Sequence, residues 1–135
     1  MKVLSLFDGI SCARQALLRA GIPVEAYYAS EIEKHPIAVA MRNWPDTVQL
    51  GDVRGVTSYS VGGGVDLLIG GSPCQDLSRA KTDGLGLKGA RSSLFYEYLR
   101  ILQETQPKWW ILENVASMKR VHRARYRASS AWSRS

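Results

Sequence analysis

The chain has 135 residues, 45% hydrophobic and 22% charged, the proportions of one globular domain with a single core rather than of a disordered chain. The net charge of +6 is lopsided: residues 1–115 hold 12 acidic and 12 basic side chains, whereas Lys119, Arg120, Arg123, Arg125, Arg127 and Arg134 meet no acid. An argument for nucleic-acid binding from charge therefore rests on residues 116–135 alone.

Cys12 and Cys74 are too few for a disulfide framework and lack metal-ligand spacing, so no metal is expected and a cytoplasmic setting with reduced thiols is. The opening "MKVLSLFDGIS" meets Asp8 too early for a signal peptide or a membrane span. Its apolar run "KVLSLF" predicts a first strand. "SCARQALLRAG" has helical spacing, with Gly21 placed for a C-terminal cap and Cys12 read as a packing residue at the helix start. "VEAYYASE" predicts a second strand. "KHPIAVAMRNW" predicts a helix, with Pro36 in its first turn and Pro45 beyond its end.

"DTVQLGDV" predicts a short third strand and "SYSVGGGV" a flexible loop. "VDLLIGG" predicts the fourth strand, and "KTDGLGLKGAR" a glycine-rich loop. "SSLFYEYLRILQETQP" predicts a helix with Leu94, Phe95, Tyr98, Leu99 and Leu102 on its apolar face. "KWWILENV" predicts a fifth strand.

Strands alternating with helices imply right-handed crossovers and an α/β fold, a parallel sheet with helices on both faces. Ligands of such sheets bind beyond the carboxyl ends of the strands, near the reversal of strand order. The residues at those ends are Asp8, Glu31, Asp52, Cys74 and Glu113. One solvated acid in a loop is unremarkable; four carboxylates and a thiol in register mark this edge as the site.

The "FDGIS" turn lacks G-x-G-x-x-G, and Asp8 would repel a pyrophosphate but suits a ligand with positive charge or several donors. Glu31, 22 residues after Gly9, is placed to accept both hydroxyls of a ribose, and Asp52 to accept from an adenine amino group. Ribose, adenine and a cationic centre describe S-adenosylmethionine; another nucleoside-bearing ligand is the alternative. Cys74, stiffened by Pro73, is a candidate nucleophile, against the blander reading of a buried structural cysteine. Glu113 at an adjacent strand end favours the first. A thiolate can add to an electron-poor ring while an acid protonates a ring nitrogen.

These residues resemble the cytosine-C5 DNA methyltransferase family. "LFDGIS", "SEIEKHPIAV", "GDV", "GGSPCQDLS", "GLKGARSSLFYEYLRIL" and "ILENV" occur in order over residues 3–115 and look like its successive motifs. The resemblance implies a Rossmann-like S-adenosylmethionine-dependent methyltransferase fold. It implies Cys74 and Glu113 as catalytic residues, Cys74 attacking C6 of a cytosine flipped out of double-stranded DNA. It implies S-adenosyl-L-methionine held by Phe7, Asp8, Gly9, Ile10, Ser11, Glu31, Ile32, Asp52, Val53 and Pro73. Ser72, Pro73, Gln75, Ser78 and Asn114 would contact substrate or shape its loop, and loop 82–90 would close over the base.

After "ENV" the chain departs from the family's pattern of further strands, a Gln-x-Arg segment, a recognition region and a final helix. Residues 1–115 are therefore expected to be a partial cofactor-binding and catalytic domain, incomplete at its C-terminal side. Residues 116–135 are expected to be a basic tail, disordered or read from another frame. "WWILENV" would then be an exposed apolar edge. A complementing chain carrying the absent strands and recognition region is the partner this implies. A restriction–modification or phage setting is expected. The alternatives are an RNA cytosine-C5 methyltransferase and a non-catalytic cofactor-binding or interaction module.

Overall fold

The structure, a computed structural model, describes residues 1–71 and 93–113. Strand β1 (Lys2–Leu6) leads to helix α1 (Cys12–Arg19), β2 (Ala26–Ser30), α2 (Lys34–Asn43) and β3 (Val48–Gln49). Two 3-10 turns, Val53–Gly55 and Ser58–Val61, precede β4 (Leu67–Gly71), α3 (Ser93–Thr105) and β5 (Trp109–Glu113). The strands form one parallel sheet in the order β3-β2-β1-β4-β5. Strand order reverses between β1 and β4, so the carboxyl ends of these strands border the crevice where such sheets take their ligands.

Alternation along β1 sorts its side chains onto two faces. Val3 joins Leu17 of α1, Tyr27, Ala29 and Leu67 on one face. Leu4 and Leu6 join Leu68, the 3-10 turns and Tyr98, Ile101 and Leu102 of α3 on the other. On α3, Phe95, Tyr98, Ile101 and Leu102 recur at helical spacing and are buried. Each such side chain contributes about 1.5–3 kcal/mol through burial.

Helix α1 ends where the sequence places the stop. Gly21 has φ +71, its N–H donates to Leu18 O at 3.0 Å, and Ile22 N–H donates to Leu17 O at 3.0 Å. This pair of bonds is a Schellman cap, and it needs the left-handed residue that glycine supplies. Cys12, in contrast, is exposed at the first position of α1, not packed there.

Two other expectations are corrected. The third strand is only Val48–Gln49, because Val48 lies on the exposed edge, Gly51 turns the chain at φ +76 and Asp52 caps a 3-10 turn. "SYSVGGGV" is a pinned turn rather than a loose loop. Thr57 and Ser60 form a reciprocal capping box, Val61 is buried, and Lys2 Nζ donates to Val61 O and to Gly63 O at 2.7 Å.

Asp66 knots three strand starts together. Its Oδ2 accepts from Lys2 N at 2.7 Å and its Oδ1 pairs with Lys108 Nζ at 2.8 Å, while its backbone bonds to Lys2 O and Trp109 N. The Lys108 hydrogen bond first, and then the Lys2 amide, hold its carboxyl below the usual range. A carboxyl depressed on folding adds stability above its unfolded pKa and loses it as pH falls through the folded one. Asp66→Asn should therefore flatten the acid-side decline of the urea midpoint below about pH 4 and lower that midpoint at neutral pH.

Close approach of β4 to β1 depends on Gly70, which is buried. A Cβ there would lie 2.7 Å from Leu6 O and 3.3 Å from a Tyr98 ring carbon. Gly70→Ala must push backbone apart and is expected to cost about 1–3 kcal/mol in urea unfolding.

Candidate functional site

The β1–α1 loop is an unusual piece of backbone. Phe7, Gly9 and Ser11 all have positive φ, at 55°, 60° and 64°. Left-handed conformations are disfavoured for residues with side chains, so Phe7 and Ser11 need support from outside the loop. Phe7 is held by packing on the core, Ser11 through Asp8, which Tyr27 of β2 bonds in turn, and Gly9 by Glu31.

Glu31, immediately after β2, reaches across to β1's loop. Its Oε2 accepts from Gly9 N at 2.9 Å, and its Oε1 accepts from Ile32 N and Glu33 N, both at 3.2 Å. One carboxylate thus joins the β1–α1 loop to the start of α2. It is only partly buried, and one acceptor site remains on Oε2. Ile32 beside it is 65% exposed, a large apolar side chain left uncovered at the sheet's ligand edge.

Asp8 turns inward. Its Oδ1 accepts from the Tyr27 hydroxyl at 2.6 Å and its Oδ2 from the Ser11 hydroxyl at 2.5 Å, while its N–H donates to Ser30 O at 3.1 Å. Ser11 is buried. Phe7 packs against the core on the α3 side, and Ile10 is exposed.

Asp52 is exposed and serves its own turn, Oδ1 accepting from Arg54 N at 2.9 Å and Oδ2 from Arg54 Nη1 at 3.1 Å. Val53 is 4% exposed within the core, and its carbonyl accepts from Arg100 Nη2 at 3.1 Å. The segment carrying both is fixed to β2 by Ser30 Oγ donating to Gly51 O at 2.7 Å and by Leu50 N donating to Ala29 O at 2.8 Å.

Glu113 is the last residue of β5 and pairs in register with Gly71, the last of β4. A Cβ on Gly71 would lie 2.6 Å from Glu113 Oε2. The carboxyl therefore lies over Gly71 at the exit of β4, three residues before Cys74 in the chain. Glycine makes that close approach available. Ser72, Pro73, Cys74, Gln75, Ser78, loop 82–90, Asn114 and residues 116–135 lie outside the described residues.

The structure thus links Asp8, Gly9, Ser11 and Glu31 in one hydrogen-bonded unit at the reversal of strand order, with Asp52 tied beside it through Ser30 and Glu113 on the β4 side. Three features carried no sequence signal strong enough to find them. Tyr27 looks like an ordinary strand residue. Gly71 reads as strand end, not as space for a carboxyl. Arg14, buried in α1, spans Tyr27 and Trp44 with its guanidinium 5.1 and 4.7 Å from their rings, and bonds Thr47 Oγ1 at 2.8 Å and Asp46 Oδ2 at 2.7 Å. That hydrogen bond holds the exposed Asp46 carboxyl below its usual range.

Removing the Glu31 carboxylate leaves three backbone donors without their acceptor. Glu31→Ala should lower stability by about 1–2 kcal/mol, since two of the three can turn to water; urea unfolding measures it.

The match to known proteins is broad. A family model for C-5 cytosine-specific DNA methylases matches residues 1–130. The orphan methyltransferase M.SPRI of Bacillus phage SPR is 36% identical over 120 residues, covering 87% of this chain and 27% of that protein. The type II methyltransferase M.NgoPII of Neisseria gonorrhoeae is 37% identical over 119 residues, covering 87% and 34%. Among solved structures, the S. pombe Dnmt2 methyltransferase superposes with a TM-score of 0.68 at 19% identity, covering 98% of this chain and 38% of that one, a likeness of fold. The chain spans about a quarter to a third of the length of the relatives it matches. With its parallel sheet, its carboxylate-tied first loop and a family match over nearly its whole length, the chain belongs to the C-5 cytosine-specific DNA methylase family.

Proposed function

We propose that this chain carries the cofactor-binding and nucleophile-bearing part of a DNA cytosine-C5 methyltransferase. The observation that carries the reading is the placement of the Glu113 carboxyl over Gly71, at the strand exit that leads to Cys74. An acid and a thiol supplied from neighbouring strand ends are what addition to a pyrimidine ring needs. The Cys74 thiolate forms a bond to C6 of an extruded cytosine while Glu113 donates a proton, or a hydrogen bond, to N3. Electron density moves to C5, which would take the methyl group as the methyl–sulfur bond of a sulfonium donor breaks and its electron pair stays on the departing thioether sulfur. Loss of the C5 proton to water then expels the thiolate from C6, and return of the N3 proton to Glu113 restores the ring.

The donor set fits S-adenosylmethionine, which when bound supplies the electrophilic methyl group. Glu31 Oε2 keeps an acceptor site for a ribose hydroxyl beside its bond from Gly9 N, and the uncovered Ile32 offers an apolar surface for a base. Asp52 stands exposed on the adjoining segment. Phe7, Gly9, Ile10 and the backbone of Val53 complete the cofactor edge in this reading, with Pro73 contributing from the catalytic loop. Ser72, Gln75, Ser78 and Asn114 hold the base and orient Glu113.

The names of the phage and Neisseria relatives support methyl transfer, and their sources support a bacterial or phage setting. Among the described residues no helix is long and apolar enough to cross a membrane. The substrate in this reading is double-stranded DNA.

The test is transfer of a labelled methyl group from S-adenosylmethionine to a cytosine-containing duplex, with a tRNA as comparison. The chain is assayed alone and with the remaining part of a relative. Cys74→Ser should abolish transfer and leave cofactor affinity unchanged. Glu113→Gln should slow transfer by about 10²–10⁴-fold. Glu31→Ala should weaken cofactor binding first. Full transfer by Cys74→Ser would remove Cys74 as the nucleophile, and methylation of the tRNA alone would move the substrate from DNA to RNA.

A further inference from the structure

Asp8 stands where a ligand contact is expected, yet each of its carboxylate oxygens is occupied by a hydroxyl of the protein. One of them, Tyr27, is the second residue of β2, 19 residues away, and is 1% exposed. We propose that Tyr27 and Asp8 are a positioning pair. The Tyr27 hydroxyl holds Asp8 Oδ1 and so locks the β1–α1 loop in the shape that meets the cofactor. The inference rests on the reading of that loop as the cofactor edge, and it assigns Asp8 to the loop's shape rather than to the ligand's charge.

The backbone explains why a lock is needed. Phe7 and Ser11 are held at positive φ on either side of Asp8, a conformation that persists only when its surroundings impose it. Ser11 stands at the N-cap of α1, where a serine hydroxyl ordinarily accepts from the helix's own amides. Here it makes no such bond and donates to Asp8 Oδ2. The loop therefore converges on the Asp8 carboxylate even at the expense of the helix cap. Gly9, the next residue, then presents its N–H to Glu31 at 2.9 Å. A shift at Asp8 is a shift at the Gly9–Glu31 contact.

Tyr27 is itself braced. The Arg14 guanidinium lies 5.1 Å from its ring and is tied on its far side to Thr47 and Asp46. Burial, and then the neighbouring Asp8 charge, push the phenol's pKa up, so the hydroxyl stays a donor throughout the physiological range. The chain of contacts runs from the α2–β3 connection through Arg14 and Tyr27 to the loop that meets the ligand. Replacing the hydroxyl alone leaves the ring in its place under Arg14.

The test uses the whole 135-residue chain with Tyr27→Phe. Amide hydrogen exchange by NMR follows the Asp8, Gly9 and Ser11 amides, all hydrogen-bonded in the loop, with Leu68 in β4 and Ile101 in α3 as references. The loop amides should exchange about fivefold faster or more, with the references unchanged. The S-adenosylmethionine Kd by calorimetry should rise by about the same factor. If Tyr27→Phe accelerates every amide alike, Ser11→Ala, which frees the other oxygen, must show the loop-confined pattern. Unchanged loop exchange, or acceleration that follows the references in both variants, overturns the proposal. A loosened loop with unchanged cofactor affinity overturns it too. Failure of the unsubstituted chain to bind S-adenosylmethionine would instead overturn the cofactor reading, while loop-confined exchange in Tyr27→Phe would still support the lock.

Discussion

Everything at the ligand edge depends on β1 being paired on both sides. Its hydrogen bonds to β2 and β4 bury Val3, Leu4, Ser5 and Leu6 and fix the point at which the chain must turn. Because the strand order reverses beside it, that turn opens into a crevice instead of against a neighbouring connection. The contact of Gly70 with the Leu6 carbonyl sets how tightly the second wall of the crevice, β4, can approach. Polar chemistry follows from that backbone arrangement, since the ends of β1, β2, β4 and β5 come to one side.

The carboxylates at those ends serve the protein's own chain before any ligand. Glu31 and Asp52 each accept from backbone amides of the segment that follows them, and Glu31 also accepts from the loop across the crevice. Such bonds fix the acceptors in place at little further loss of freedom when a ligand arrives, which is how preorganisation improves affinity. An arrangement of this kind also explains why a neutral body of balanced charge can concentrate acids on one edge. Asp8, Glu31 and Asp52 are each matched by nearby N–H or O–H donors.

Much of this was legible in the residues. Alternation of apolar runs with helical spacing set out five strands and three helices in order, and the Gly21 stop is a Schellman cap in the structure. Glu31 and Glu113 stand at strand ends as their positions after or within apolar runs imply, whereas Asp52 caps a 3-10 turn three residues beyond β3. Asp8 shows the limit. Its position was readable, but its direction depended on a hydroxyl from β2 that no local pattern marks. Likewise, three glycines at 62–64 suggest mobility until Lys2, distant in sequence, is found bonded to the carbonyls there. Period and turn chemistry are local; the donors that decide a polar side chain's direction arrive from elsewhere in the fold.

The last strand has two unlike faces. Trp110 and Leu112 pack toward α3, whereas Trp109 is 58% and Ile111 50% exposed. They border an open groove of about 720 Å³ lined also by Met1, Leu17, Ile22, Leu67 and Pro107. The three described tryptophans thus occupy three optical environments: Trp109 in water, Trp110 against the core, and Trp44 stacked on the Arg14 guanidinium. Emission from an indole shifts to shorter wavelength as water leaves it. The edge strand consequently carries its own reporter, and a blue shift assigned to Trp109 would register any polypeptide that comes to cover the groove, without a label being added.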